Sequence, residues 1–207
     1  NSGNANAATG DEGIRTATRC CQSVAEMAGL MKEEVLPFST GVIGEPFDYQ
    51  KIQDAIPSLF KKLAGDGWTV VARAIITTDT ATKISAREVE IDSKKVKIIG
   101  IAKGSGMIQP NMATMLSFLA TDASLERDLS DQILFETCEK TFNRITVDGD
   151  TSTNDACVLV STGLSGVDCN KSPQLELMKQ GIFQVMRDLA MAIVKDGEGA
   201  TKFVEVR

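Results

Sequence analysis

The stretch from Lys103 to Leu116 contains residue types that could carry out acyl transfer. It reads Lys-Gly-Ser-Gly-Met-Ile-Gln-Pro-Asn-Met-Ala-Thr-Met-Leu, so Thr114 follows a Gly-, Pro- and Asn-containing segment that favours turns. A threonine hydroxyl attacks a carbonyl only when a base takes its proton, and this chain has no histidine. Cleavage of the Ala113–Thr114 bond would free a threonine α-amine, which titrates at about 7.7–8.0 and could act as that base. An ordinary residue at the start of a strand is the alternative interpretation of Thr114.

A second candidate is the Ser39-Thr40-Gly41 sequence, which is followed by Gly44. Glycine allows a close approach of the backbone to a ligand, so the Thr40 hydroxyl and the Gly41 N–H could stabilise an oxyanion. The residues alone fit an ordinary turn equally well. Ser161-Thr162-Gly163 has the same local pattern, and we assign it a structural role.

Two charged residues could bind substrate. Lys103 opens a Gly-x-Gly turn without the spacing of a phosphate-binding loop; it could hold a carboxylate, lower the pKa of a nearby amine, or be a solvated surface charge. Glu198 lies in an Asp-Gly-Glu-Gly loop, and the alternative is an ordinary exposed acidic residue without a binding role.

The segment from Asp148 to Leu159 lacks the Gly and Glu that a calcium-binding loop requires, so a hydrogen-bonded turn is predicted there.

Composition excludes several classes of function. The 207 residues are 43% hydrophobic and 24% charged, with a formal net charge of −6 and 5% aromatic residues. These values are typical of a globular protein and argue against nucleic-acid binding. Apolar runs are too short for a membrane span. Five cysteines without a Cys-x-x-Cys pair predict reduced thiols, and no metal or cofactor site is expected.

Hydrophobic periodicity predicts an α/β chain. Helices are expected at 11–30, 48–64 with a break or kink at Pro57, 68–76, 129–142 and 174–195. Strands are expected at 35–38, 84–91, 95–98, 114–119, 156–160 and 203–206, with 84–98 as a β-hairpin. Thr114 would then lie at a strand start.

Several long and unusual sequence motifs occur together along the chain. They are Asn1-Ser-Gly-Asn-Ala-Asn-Ala, Ser39-Thr-Gly-Val-Ile-Gly-Glu-Pro, Thr77-Thr-Asp-Thr, Lys103-Gly-Ser-Gly-Met-Ile, Pro110-Asn-Met-Ala-Thr-Met-Leu, Phe142-Asn-Arg-Ile-Thr-Val-Asp-Gly-Asp-Thr-Ser-Thr-Asn-Asp and Asp196-Gly-Glu-Gly-Ala-Thr-Lys. In this content and order the chain resembles the ornithine acetyltransferase (glutamate N-acetyltransferase) family of arginine biosynthesis. One departure is Ala8, where the family often has cysteine.

The resemblance implies a fold and a domain organisation. The expected fold is α/β, with two packed β-sheets flanked by helices in a four-layer αββα arrangement and a self-cleaving N-terminal threonine nucleophile. Because members of this family extend beyond both ends of the chain, residues 1–207 would be an internal part of one catalytic domain. Cleavage would divide it into an α part, 1–113, and a β part, 114–207.

The resemblance also implies an activity. An enzyme of this family transfers acetyl from N2-acetylornithine to L-glutamate, and acetyl-CoA is a further candidate donor. Thr114 would be the nucleophile, and Thr40 and Gly41 would form the oxyanion hole. Thr77, Lys103, Thr114 and Glu198 would bind substrate, without any cofactor. A heterotetramer of two α and two β chains in the cytoplasm is implied.

Two alternatives remain open. The first is a self-cleaving amidohydrolase or aminopeptidase of related architecture, which would pass the acyl group to water. The second is an inactive, uncleaved folding unit.

Overall fold

The computed structural model describes residues 2–109 and 115–206. The chain divides into two compact units, one up to Val71 and one from Ala72 onward. The helices are α1 (Gly10–Ala28), α2 (Tyr49–Phe60), α3 (Trp68–Ala74), α4 (Arg127–Lys140) and α5 (Gln174–Lys195), and the strands are β1 (Lys83–Ile91), β2 (Lys94–Lys103), β3 (Leu116–Thr121) and β4 (Ala156–Ser161).

The first unit contains α1 and α2. Helix α1 is followed by Gly29, which adopts a left-handed φ of 70° and donates its N–H to the Ala25 carbonyl, the usual use of glycine at a helix end. Helix α2 is capped by the preceding residue, Asp48, whose carboxylate accepts the N–H groups of Gln50 and Lys51. Pro57 lies inside the last turn of α2, and the helix ends at Phe60, earlier than predicted.

The second unit is built on one four-stranded mixed sheet in the order β1-β2-β3-β4. The predicted hairpin is confirmed: β1 and β2 are antiparallel, and Asp92 and Ser93 form the tight turn with φ values of 52° and 61°. Strands β3 and β4 are parallel, so the chain must cross over between them, and α4 lies in that connection. These features confirm the α/β class.

Helix α5 covers one face of this sheet at close range. A Cβ built on Gly181 of the helix would lie 2.5 Å from Ile98 Cδ1, and one built on Gly100 of β2 would lie 2.9 Å from Leu189 Cδ1. Both positions need glycine for the helix and sheet to approach this closely. Met186 and Leu189 are fully buried in the resulting core.

The opposite face of the sheet is also apolar. The register places Ile84, Ile101, Phe118 and Val158 opposite one another in a row across all four strands. Ile84 is 42% exposed and Val160, on the same face of β4, is 48% exposed. A sheet with two apolar faces needs a layer on each.

Two predicted strands are wrong. Residues 35–38 and 203–206 form no strand within the described part of the chain. Pro37 lacks the N–H that a ladder needs, and Val204 and Val206 are 74% and 93% exposed. The described residues contain one sheet, so they do not include the second sheet of the expected arrangement. No helix in those residues is long and apolar enough to cross a membrane.

Candidate functional site

Three residues predicted to bind substrate lie at one location in the second unit. Lys103 ends β2 and is only 2% exposed, and its Nζ donates to Thr77 Oγ1 at 2.9 Å. The Glu198 N–H donates to the Ser105 carbonyl at 2.7 Å. A Cβ built on Gly106 would lie 2.5 Å from Glu198 Oε2, so this carboxylate lies directly against the backbone of Gly106. Tertiary structure therefore brings together a cation, a hydroxyl and a carboxylate from distant positions in the sequence.

The environment of Lys103 makes its ammonium group unusually easy to deprotonate. Burial lowers the pKa of Lys103, and the positive charge of Lys83 acts in the same direction, while Asp79 and Asp155 oppose the shift. A partly desolvated cation binds a carboxylate more strongly than one in water. Thr77 and Glu198 are exposed, so this location is open to a ligand.

Lys83 holds the surrounding loops together. Its buried Nζ donates to Asp79 Oδ1 and to Asp196 Oδ2, both at 2.6 Å. Asp79 also accepts the N–H of Gly104 at 2.7 Å and that of Thr77 at 3.2 Å. The buried ion pair between Lys83 and Asp79 therefore holds the backbone of Gly104, which is next to Lys103, and the backbone of Thr77.

Asp196, the second carboxylate that Lys83 binds, positions the loop that contains Glu198. Asp196 accepts hydrogen bonds from the backbone N–H groups of Thr80 and Ala81 and from the Thr80 hydroxyl. Burial alone would raise the pKa of Asp196, but Lys83, Thr80 and Ala81 outweigh it and lower that pKa. Asp79 and Asp196 belong to the sequence motifs, yet no role was predicted for them or for Lys83, because the burial of these side chains arises only in the folded chain.

Replacing Lys83 with methionine should destabilise the protein by about 3–5 kcal/mol at pH 7, because two buried carboxylates lose their counter-ion. Burial alone would raise the pKa of Asp79, but hydrogen bonds from Gly104 and Lys83 hold it below its usual value. Without Lys83 that pKa rises and protonation relieves the repulsion, so the loss of stability should shrink as the pH falls toward 4. Urea unfolding at both pH values measures this.

The matched control is Lys95→Met. Lys95 pairs with Glu88 at 3.0 Å in an exposed position, where an ion pair contributes about 1 kcal/mol or less. Equal losses of stability for the two variants would contradict a structural role for the Lys83 cluster.

The predicted turn after Asp148 is confirmed as a hydrogen-bonded element. Asp148 accepts the N–H groups of Met107 at 2.5 Å, Ile108 at 2.9 Å and Asp150 at 3.1 Å. Burial works against the charge of this carboxyl, but the three donors outweigh it and lower the pKa of Asp148. The turn thus anchors the segment that follows Lys103.

Asp155, at the end of the same turn, is a residue for which no chemical role was predicted. Its Oδ1 accepts the Met115 N–H at 2.7 Å. Its Oδ2 is shielded from solvent and has no hydrogen-bond partner within the ranges that the structure covers. Burial raises the pKa of Asp155 to about 7, although the Met115 N–H and the charge of Lys103 lower it. Its position directly before strand β4 was the only signal in the sequence.

Thr40 and Gly41 lie in the first unit, in a loop that pairs with the start of the chain. The Ala5 N–H donates to the Val42 carbonyl at 3.0 Å, and Thr40 is 3% exposed. Gly41 has a φ of 145°, and a Cβ there would lie 2.1 Å from the Gly3 carbonyl oxygen. Glycine is therefore required at position 41.

The remaining predicted residues, Ala113 and Thr114, lie outside the described residues. Their roles as cleavage site and nucleophile stay predictions. Among the described residues, no group of three or more Cys, Asp or Glu side chains is arranged to hold a metal ion.

Comparison with known proteins gives consistent matches. The ArgJ family model matches residues 1–207. The arginine biosynthesis bifunctional protein ArgJ of Methylococcus capsulatus is 50% identical over 208 residues, which is 100% of this chain and 51% of the relative. That of Pseudomonas fluorescens is 46% identical over 209 residues, 100% of this chain and 52% of the relative.

A solved structure of the arginine biosynthesis bifunctional protein ArgJ from Bacillus halodurans is 38% identical, with a TM-score of 0.49 over 55% of this chain and 59% of that one. The chain spans about half the length of the curated relatives it matches. Since the family model covers every sequence motif named above, from Asn1-Ser-Gly to Asp196-Gly-Glu, the chain belongs to the ArgJ family.

Proposed function

We propose that the protein containing this chain transfers an acetyl group from N2-acetylornithine to L-glutamate through an acetyl-threonine intermediate. The observation that carries the proposal is the contact of Lys103 with Thr77 beside Glu198. Both substrates are amino acids or their acetylated derivatives. A buried cation suits their carboxylates, and the exposed Glu198 carboxylate suits a substrate ammonium group.

The proposed reaction begins with cleavage of the Ala113–Thr114 bond. The freed α-amine of Thr114 takes the proton of its own hydroxyl, and the hydroxyl oxygen attacks the acetyl carbonyl of N2-acetylornithine. Thr40 and Gly41 would stabilise the negative charge on the carbonyl oxygen. Ornithine leaves, and the amine of glutamate then attacks the acetyl-threonine ester. Each half-reaction passes through a tetrahedral oxyanion, so one set of donors serves both.

The apolar second face of the sheet supports the proposed four-layer fold. The row of Ile84, Ile101, Phe118 and Val158 is apolar, as a face that packs on a second sheet must be, and Ile84 at its edge is exposed, whereas Ile101 is already buried. A heterotetramer of two α and two β chains, a cytoplasmic location and acetyl-CoA as a further donor are parts of the same proposal and come from the family resemblance.

A labelling experiment on the full-length protein tests the proposal. After incubation with N2-acetylornithine, mass spectrometry should find one acetyl group on the peptide that begins at Thr114, and glutamate should discharge it. Discharge by water at the same rate without glutamate would favour an amidohydrolase. An intact Ala113–Thr114 bond with no bound acetyl would favour an inactive folding unit.

A further inference from the structure

Two cysteine side chains meet between helix α4 and strand β4. Cys138 lies in the last turn of α4, and Cys157 is the second residue of β4. Their thiol groups are joined by a hydrogen bond, and both are free thiols in this structure. Their spacing in the sequence gave no sign of a pair, because the contact is made only when α4 packs on the strand.

The two thiols line one cavity of about 250 Å³. Cys138 is only 5% exposed, but Phe135 in the same wall is 69% exposed, so the cavity reaches the surface. The other lining residues are Asp131, Leu134 and Asn143. A small molecule therefore has a path to the two sulfur atoms. The empty space also allows the side chains to reach the geometry of a disulfide, whose Cβ atoms lie about 3.5–4.5 Å apart.

The hydrogen bond makes the two thiols chemically unequal. It lowers the pKa of Cys138, and together with burial it raises the pKa of Cys157 well above its usual value. Cys138 is therefore the first of the pair to become a thiolate, which is the form that attacks an oxidant, and Cys157 keeps its proton. Burial instead raises the pKa of each of the remaining cysteines, Cys20, Cys21 and Cys169.

We propose that Cys138 and Cys157 are a peroxide-sensitive thiol pair that forms a reversible disulfide between α4 and β4. The Cys138 thiolate attacks the O–O bond of hydrogen peroxide and is oxidised to a sulfenic acid, while the departing hydroxide takes up the proton that the thiol released. The Cys157 sulfur then attacks the sulfenic sulfur, and the hydroxyl group leaves with the Cys157 proton as water. Two thiols and one peroxide thus give one disulfide and two waters, and a thiol reductant reverses the bond.

The disulfide would give β4 a second attachment. Within the part of the sheet that the structure describes, β4 is an edge strand that pairs only with β3. A bond to Cys138 would join its start to α4. It would also close the loop from 138 to 157 in the unfolded chain, which lowers the entropy of unfolding. The oxidised protein should therefore require more urea to unfold than the reduced protein.

The test treats the purified full-length protein, first reduced and then freed of reductant, with hydrogen peroxide. Free thiols are blocked with N-ethylmaleimide before digestion without reductant. Mass spectrometry should find a peptide in which Cys138 is linked to Cys157, and dithiothreitol should remove this link. The urea midpoint should rise on oxidation and return to its original value on reduction.

Two variants test the order of the steps. In Cys157→Ser the serine hydroxyl can still donate to the Cys138 sulfur, so oxidation should stop at the Cys138 sulfenic acid, which dimedone traps. In Cys138→Ser, Cys157 should remain a reduced thiol. Cys169→Ser is the matched control, because Cys169 is also buried but lies outside the cavity, and it should form the link between Cys138 and Cys157 in full.

The peptide map of the unaltered protein decides the proposal even if a serine variant does not fold. Absence of the linked peptide, or a link that forms only in urea, would overturn it. Oxidation of Cys20 or Cys21 while Cys138 stays reduced would do the same, as would a dimedone adduct on Cys157 in Cys138→Ser. A lower urea midpoint after oxidation would contradict the fit of the bond to the fold. Acetyl transfer is not measured in this test, so its outcome leaves the proposed function unaffected.

Discussion

Thr114→Ala is expected to leave the full-length protein as one uncut chain with no acetyl transfer. The substitution removes the hydroxyl that attacks the Ala113 carbonyl and later carries the acetyl group. Loss of a nucleophile costs on the order of 10⁶ in turnover, as other covalent enzymes show. A denaturing gel and a transfer assay measure both effects. In the unaltered protein, sequencing of the new terminus should read Thr-Met-Leu-Ser.

The matched control is Thr151→Ala, an exposed threonine in the turn before Asp155. It should cleave and transfer acetyl at normal rates. An unaltered protein that transfers acetyl groups while the Ala113–Thr114 bond stays intact would show that the free α-amine is not the base.

Thr40→Ala should lower the acetyl-transfer rate by about 10²–10³-fold, the usual cost of one oxyanion donor. The side chain is only 3% exposed, and the hydroxyl acts on charge that develops in the transition state. The KM for N2-acetylornithine should therefore change much less than kcat. Steady-state kinetics with glutamate as acceptor separates the two constants.

Thr162→Ala is the control for this substitution, because Thr162 lies in the same Ser-Thr-Gly pattern. Its hydroxyl donates to the Thr121 carbonyl at 3.2 Å, which is a structural contact at the end of β4. Thr162→Ala should leave kcat nearly unchanged. If Thr40→Ala raises KM as much as it lowers kcat, Thr40 positions substrate and does not stabilise an oxyanion.

Local patterns predicted the elements whose stability depends on nearby residues. The bounds of α5 match the predicted 174–195, because its apolar spacing continues over many turns and Gly197 follows it. The β1–β2 hairpin was predictable because its partner strand is the next segment of the chain. The strands predicted at 35–38 and 203–206 failed because a strand also requires a partner, which the segment itself does not reveal.

The sequence by itself determined the family and the motifs that contain Thr77, Lys103 and Glu198. Such motifs are specific because each contains several unusual residues in a fixed order. Tertiary structure alone decided that Lys103 contacts Thr77 beside Glu198, and that Lys83 joins their loops. It also decided that Asp155 has a buried carboxylate oxygen. Burial and charge pairing depend on contacts between residues far apart in the chain, so the shifted pKa values of Lys103 and Asp155 appear only when the chain folds.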